Sequence, residues 1–200
     1  MLNSLPTKYF DDVYSAHRDP WDFETSEYEQ QKYTHTLASL PRDHYKSALE
    51  IGCSIGVLTA QLAPRCESLL SIDVSESALA QARARCRHLP HVTFRNNSVP
   101  TQFPDGQFMF ILLSEVAYYL SRPDLILLAD QLAAHQNEGA DLLLVHFTPE
   151  VAGYPATGDQ VHDYFLTRPE WRTLAESRQP RYRLDALRRV SARSTPQSPP

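Results

Sequence analysis

The stretch Ser47-Ala48-Leu49-Glu50-Ile51-Gly52-Cys53-Ser54-Ile55-Gly56-Val57-Leu58-Thr59 reads as a short buried strand, a glycine turn and the start of a helix. Glu50 stands just ahead of the first glycine. Further on, Leu69-Leu70-Ser71-Ile72-Asp73-Val74 is a second strand-like run carrying a carboxylate at its end. A βα turn of small residues lets backbone approach a ligand closely, and an acid after the next strand accepts ribose hydroxyls. Together they point to a nucleoside-type cofactor.

Outward from this turn, strand and helix patterns alternate. Upstream, Ser26-x-x-Glu29 has the form of a capping box, ahead of a helix that carries Tyr33, Leu37 and Leu40 and closes at Pro41. Downstream, a short helix from Gly56 to Ala63 stops at Pro64, and Ser75 caps a helix with Leu79, Ala82, Cys86 and Leu89 on one face. Val92–Asn96 and Phe108–Leu113 read as strands, Ser121 caps a helix with Leu125, Leu128 and Leu132 inward, and Leu142–Phe147 is a fifth strand. Asp159–Leu166 predicts another helix. Trp171–Ser177 and Tyr182–Val190 predict an antiparallel hairpin around Gln179-Pro180. Such alternation gives an α/β fold with a doubly wound, mostly parallel sheet.

Residues 1–23 read as irregular, yet they hold Tyr9, Phe10, Tyr14, Trp21 and Phe23. Two readings compete: anchors that fix the terminus on the core, or a lid over the ligand site. The expected organisation is an aromatic lid segment and helix over 1–40, one domain over 41–190 and a disordered tail over 191–200.

Bulk properties narrow the function. A chain of 200 residues, 42% apolar and 22% charged, suits one globular domain. The net charge of −5 argues against a nucleic-acid partner. No apolar run is long enough to span a membrane, and the N-terminus has no secretory pattern. Cys53, Cys66 and Cys86 lack metal spacing, which predicts free thiols in a reducing, cytoplasmic setting. Asp141, Glu150 and Asp159 are scattered, so no metal site is expected.

The identity of the cofactor follows from the turn. A dinucleotide fingerprint needs Gly-x-Gly-x-x-Gly; here the middle position is Ser54 and the last spacing is wrong. Glu50 would repel a pyrophosphate but suits a cofactor with a cationic head. S-adenosylmethionine, with its amino group, sulfonium and ribose, fits. The pattern Glu50-x-Gly52-x-x-x-Gly56 with Asp73 resembles motif one of class I methyltransferases over residues 47–147. That resemblance implies a Rossmann-like sheet closed by the C-terminal hairpin, with helices on both faces. It implies that Glu50 meets the methionine amino group, directly or through water, and that Gly52 and Gly56 pass beneath the cofactor. Asp73 would hold the ribose, and Asn97 or Ser98 would replace the usual adenine-reading acid. Ser114-Glu115-Val116 stands where those enzymes place residues near the methyl group. Cys53, Val74 and Val99 complete the candidate cofactor shell.

The flanks carry a narrower resemblance. Asp19-Pro20-Trp21-x-Phe23-x-x-Ser26-x-Tyr28-Glu29-x-x-Lys32-Tyr33, Leu113-Ser114-Glu115-Val116-x-Tyr118-Tyr119-Leu120 and Gly158-Asp159-x-Val161-His162-Asp163 resemble the nodulation protein S (NodS-like) family over residues 8–190. Those are S-adenosylmethionine-dependent N-methyltransferases, and the named family acts on the free amine of a deacetylated chitooligosaccharide. The resemblance implies a small-molecule or oligosaccharide acceptor.

An ammonium acceptor must lose a proton before it can attack a methyl carbon. His162 is the first candidate base, since histidine titrates near neutrality, set against a structural helix histidine. Glu115 is the second, and Tyr118 or Tyr119 would orient the amine. Trp21, Tyr28 and Tyr33 would face the sulfonium or stack on a sugar. His146 reads as a satisfied core residue. The remaining alternatives are a small-metabolite O-methyltransferase, a non-catalytic S-adenosylmethionine binder and a nicotinamide oxidoreductase. A DNA amino-methyltransferase is disfavoured, because Ser114-Glu115-Val116-Ala117 replaces its Asn/Asp-Pro-Pro-aromatic run.

Overall fold

The computed structural model describes residues 2–191, so the expected disordered tail lies, beyond Ser191, outside the described residues. The chain runs α1 (Thr7–Ala16), α2 (Glu27–Ala38), β1 (Ala48–Ile51), α3 (Val57–Leu62), β2 (Leu69–Asp73), α4 (Glu76–Arg85) and β3 (Val92–Asn96). It continues with β4 (Phe110–Ser114), α5 (Arg122–Ala134), β5 (Asp141–Phe147), α6 (Gly158–Leu166), β6 (Trp171–Arg178) and β7 (Tyr182–Arg189). The strands form one sheet in the order β3-β2-β1-β4-β5-β7-β6. Pairing is parallel from β3 through β5, and β7 runs antiparallel between β5 and β6. The expected doubly wound sheet with an antiparallel C-terminal hairpin is the observed one.

Strand side chains alternate faces, and both faces of this sheet are covered. Leu49, Ile51, Ile111, Leu113, Leu142 and Leu144 join one core with Leu128 and Leu132 of α5 and Phe165 of α6. Ala48, Phe110, Leu112, Leu143 and Val145 join the other with Leu58 and Leu62 of α3. Each fully buried Leu or Phe contributes about 1.5–3 kcal/mol, so this strand register has no competitive one-residue slip.

Local expectations fail in three places. Residues 1–23 are not irregular, because Thr7–Ala16 is helical. Pro6 supplies no side-chain cap, so the helix rests on tertiary contacts such as Phe10 against Tyr119, with ring centres 4.9 Å apart. Ser26 caps α2 through the Glu29 amide, but the Glu29 side chain does not complete the box; it turns to Lys32, 3.0 Å away. The buried face of α2 is therefore Glu29, Lys32, Tyr33 and Thr36 rather than Tyr33, Leu37 and Leu40. α4 ends at Arg85, which leaves Leu89 outside it.

Candidate active site

The strand order reverses between β1 and β4, and ligands bind outside the carboxyl ends of strands at such a point. A cavity of about 460 Å³ opens there, lined by the ends of β1, β2 and β4 and covered by residues of α1 and α2.

One half of the cavity is built from backbone. Gly52 has φ +84° and an added Cβ would lie 2.2 Å from Val116 Cγ2, so only glycine fits. Ser54 also takes a left-handed conformation, φ 50°, which aims its amide at Asp73 Oδ2, 2.8 Å away. Asp73 Oδ1 accepts from the Ser75 amide at 2.9 Å. Each carboxylate oxygen keeps capacity for one hydroxyl donor, which matches a ribose diol. Burial pushes the Asp73 carboxyl up, partly countered by those amides. Val74, Asn97, Ser98 and Val99 form the adjoining ledge, with Gln102 pinning it through Asn97 Nδ2 (2.7 Å) and the Ser98 amide (3.2 Å).

Several expected ligand residues lie behind this surface. Glu50 is buried beneath the turn, with both Thr59 Oγ1 (2.6 Å) and Ser71 Oγ (2.7 Å) donating to Oε2. Burial raises its carboxyl to about 7. It does not line the cavity, so any contact to a cofactor amine runs through the remaining oxygen and an intermediary. Gly56 serves packing instead of ligand approach: a Cβ there would meet Ala82 at 2.9 Å, and the close contact lets α3 cross α4. Cys53 and Tyr33 are core residues, and Ser114 sits under Gly52 with its carbonyl toward that turn.

The other half is built from side chains. Lys32 Nζ, on a side chain 3% exposed, donates to Glu115 Oε1 at 2.7 Å and to Glu29 Oε1 at 3.0 Å. Burial alone would lower the ammonium, but Glu115 and Glu29 outweigh it and hold Lys32 above the ordinary lysine range. Burial also raises Glu29 despite Lys32. Glu115 Oε2 accepts from Tyr118 Oη (2.7 Å) and from the Phe147 amide (2.9 Å). Glu115 itself has φ 57°, a strained conformation of the kind that concentrates at functional sites. A carboxylate has about four acceptor sites; three are filled here, and one on Oε1 remains open. Burial pushes the Tyr118 phenol well up, so it stays a donor. Trp21 and Tyr28 line the cavity, as do Phe10, Tyr14 and Tyr119, and Tyr14 Oη bonds Ser54 Oγ across the two halves.

His162 is corrected. It is 0% exposed and does not reach the cavity. Its Nδ1 lies 2.8 Å from Asp185 Oδ2 and its Nε2 lies 3.1 Å from His146 Nδ1. His146 Nε2 accepts the Ala117 amide at 3.3 Å. That amide fixes both tautomers: His146 donates from Nδ1 to His162, and His162 donates from Nδ1 to Asp185. Burial pushes His146 well below the ordinary histidine value. This chain of bonds supports the turn that carries Glu115 and Tyr118; it is no base for a ligand. Its sequence signal, a His near a carboxylate-rich helix start, is the same one a catalytic histidine would give.

A family model described as nodulation protein S (NodS) matches residues 12–130. The chain belongs to the NodS family. It is similar to nodulation protein S of Bradyrhizobium diazoefficiens (strain USDA 110), 39% identical over 103 residues, which are 51% of this chain and 49% of that protein. Nodulation protein S of Sinorhizobium fredii (strain NGR234) is 37% identical over 107 residues, 52% of this chain and 49% of that one. The chain thus spans about half the length of the curated relatives it matches. The N-methyltransferase NodS of Bradyrhizobium japonicum WM9, solved with S-adenosyl-L-homocysteine, shares the fold: TM-score 0.83 at 23% identity, covering 92% of this chain and 98% of that one.

Sequence reasoning missed Lys32, Glu29, Phe147 and Arg181 on the cavity wall. Lys32 was visible only as a member of the Tyr-Glu-x-x-Lys-Tyr helix, where an i, i+3 Glu–Lys pair reads as surface charge. Phe147 and Arg181 reach the site from distant strand ends, and no local pattern marks them. Among the described residues no helix is long and apolar enough to cross a membrane.

Proposed function

We propose that this chain is an S-adenosylmethionine-dependent N-methyltransferase acting, in the cytoplasm, on a small amine such as the free amino group of a chitooligosaccharide or related amino sugar. The observation that carries the reading is one cavity holding both Asp73, with room for two hydroxyl donors, and the Glu29–Lys32–Glu115–Tyr118 cluster. Family membership supports it, and so does the fold of the NodS structure above.

When bound, the cofactor supplies a methyl group already activated by its sulfonium. The protein's task is then to bind, orient and manage one proton. Asp73 accepts the ribose hydroxyls, the Gly52 turn gives close backbone approach, and Val74, Val99, Asn97 and Ser98 flank the adenine. Trp21 offers a π face to a cation. Glu115 uses its open acceptor site to take an N–H of the amine, which directs the nitrogen lone pair at the methyl position and receives the proton released. Tyr118 and Lys32 hold Glu115 in place, and residues 1–40 act as the lid that excludes water.

Calorimetry with S-adenosyl-L-homocysteine and transfer of labelled methyl to glucosamine and chitotetraose test the proposal. Micromolar binding with transfer to an amine is expected. Binding without transfer to any amine or hydroxyl would favour a cofactor sensor, and nicotinamide binding instead would overturn the reading.

A further inference from the structure

Every charged side chain on the cavity has a hydrogen-bonded partner among the described residues except Arg181. Lys32 donates to both Glu29 and Glu115, and two backbone amides donate to Asp73. The neighbours of Arg181 in the same hairpin are paired, Arg178 with Asp159 and Arg183 with Asp163. Arg181 instead sits in the turn between β6 and β7, its carbonyl fixed by the Thr148 amide at 3.0 Å. Its guanidinium is 4.4 Å from the centre of the Tyr28 ring and 5.3 Å from that of Phe147. Stacking on aromatic faces orients a guanidinium while leaving its edge donors unused. The Tyr28 hydroxyl, on the same cavity, is buried without a hydrogen-bond partner among the described residues.

A planar fork of donors with a phenol beside it is the recognition chemistry of a phosphate monoester or a carboxylate. Lys32 Nζ lies 5.1 Å from the centre of the same Tyr28 ring, so Arg181 and the Glu115 cluster stand on one aromatic platform. We propose that Arg181, with the Tyr28 hydroxyl, binds an anionic group carried by the amine acceptor, so that the preferred substrate is an amino-phosphate or amino acid-like zwitterion with its nitrogen at Glu115. This rests on the methyltransferase reading above and narrows its acceptor.

The test uses the full chain and matched amines: ethanolamine against O-phosphoethanolamine and β-alanine, and glucosamine against glucosamine 6-phosphate. With saturating S-adenosylmethionine, the charged member of each pair should show a KM about tenfold lower or more, as a charge-assisted bidentate pair supplies. Arg181→Gln should collapse that preference toward unity, and Arg181→Lys should restore part of it. A larger preference for the phosphates than for β-alanine assigns a phosphate, and the reverse assigns a carboxylate. Equal KM values within pairs, or a preference that survives Arg181→Gln, would overturn the proposal. Calorimetric titration of O-phosphoethanolamine into the protein runs in parallel. If no amine is methylated, the methyltransferase reading fails by itself. The titration then still decides the anion site: Arg181-dependent binding supports it, and binding that is absent or indifferent to Arg181→Gln overturns it.

Discussion

The two halves of the cavity are made differently. The half proposed for the cofactor is mostly backbone: a glycine at φ +84°, a left-handed serine, and a strand-end carboxylate gripped by two amides. These parts lie within one βαβ unit. The half proposed for the acceptor is side chains from five separate places: α2, the turn after β4, the end of β5, the β6–β7 turn and α1. A backbone site tolerates few substitutions at glycine and many elsewhere; a side-chain cluster fails when any one member is removed.

That contrast can be broken by experiment. Lys32→Ala is expected to have the largest effect: it leaves Glu29 and Glu115 buried without their cation, which costs about 3–5 kcal/mol of stability by chemical denaturation. Its homocysteine-cofactor affinity, where the variant is folded, should match the parent; a parallel loss would mean the halves are not separable. Gly52→Ala, next, should lower stability by about 2–4 kcal/mol, from the left-handed backbone and the clash with Val116. It should also abolish cofactor binding, and a variant that binds normally would remove this turn from the site. Asp73→Ala should weaken cofactor binding by about 2–3 kcal/mol, because ribose donors lose a buried acceptor.

The halves should also respond to pH with opposite sign. Glu50 keeps its proton in the fold up to about 7, against an ordinary value of 4.5. Its contribution to stability is complete below the ordinary value and is lost as pH rises toward 7. His146 is held neutral below the ordinary 6.5. Its contribution is complete above that value and is lost as pH falls beneath it. Denaturation midpoints between pH 4 and 8 should therefore lose their upper slope in Glu50→Gln and keep it in His162→Asn. His162→Asn should lower stability by about 1–3 kcal/mol, because buried Asp185 and His146 each lose a partner. A neutral effect would remove the bond chain as a support.

The same contrast explains what the sequence made legible. The doubly wound sheet and its antiparallel hairpin follow from local signals, runs of buried residues and capping serines, and the Gly52–Asp73 pairing is suggested by a fixed spacing between turn and acid; the strand order is not local and comes only from the structure. Glu115 and Tyr118 line the cavity, and their position is legible because they follow β4 directly. That of Lys32 is not, since its meaning depends on Glu115, 83 residues away in the chain. His162 misled because a buried Asp–His–His chain and a catalytic base look alike in one dimension; only burial and the Ala117 amide tell them apart. The helix at Thr7–Ala16 was hidden for a related reason, its stability coming from Tyr119 and Ser54 rather than from its own caps.

In the proposed division of labour Glu115 handles the acceptor while Asp73 holds the cofactor. The most direct test is Glu115→Gln, which preserves shape and the Tyr118 contact, assayed for S-adenosyl-L-homocysteine affinity and for labelled methyl transfer to an amine. Cofactor affinity equal to the parent's is expected, with transfer reduced about a hundredfold or more, the usual scale for a lost proton acceptor. Transfer at the parent rate, or cofactor affinity lost together with transfer, would contradict that division.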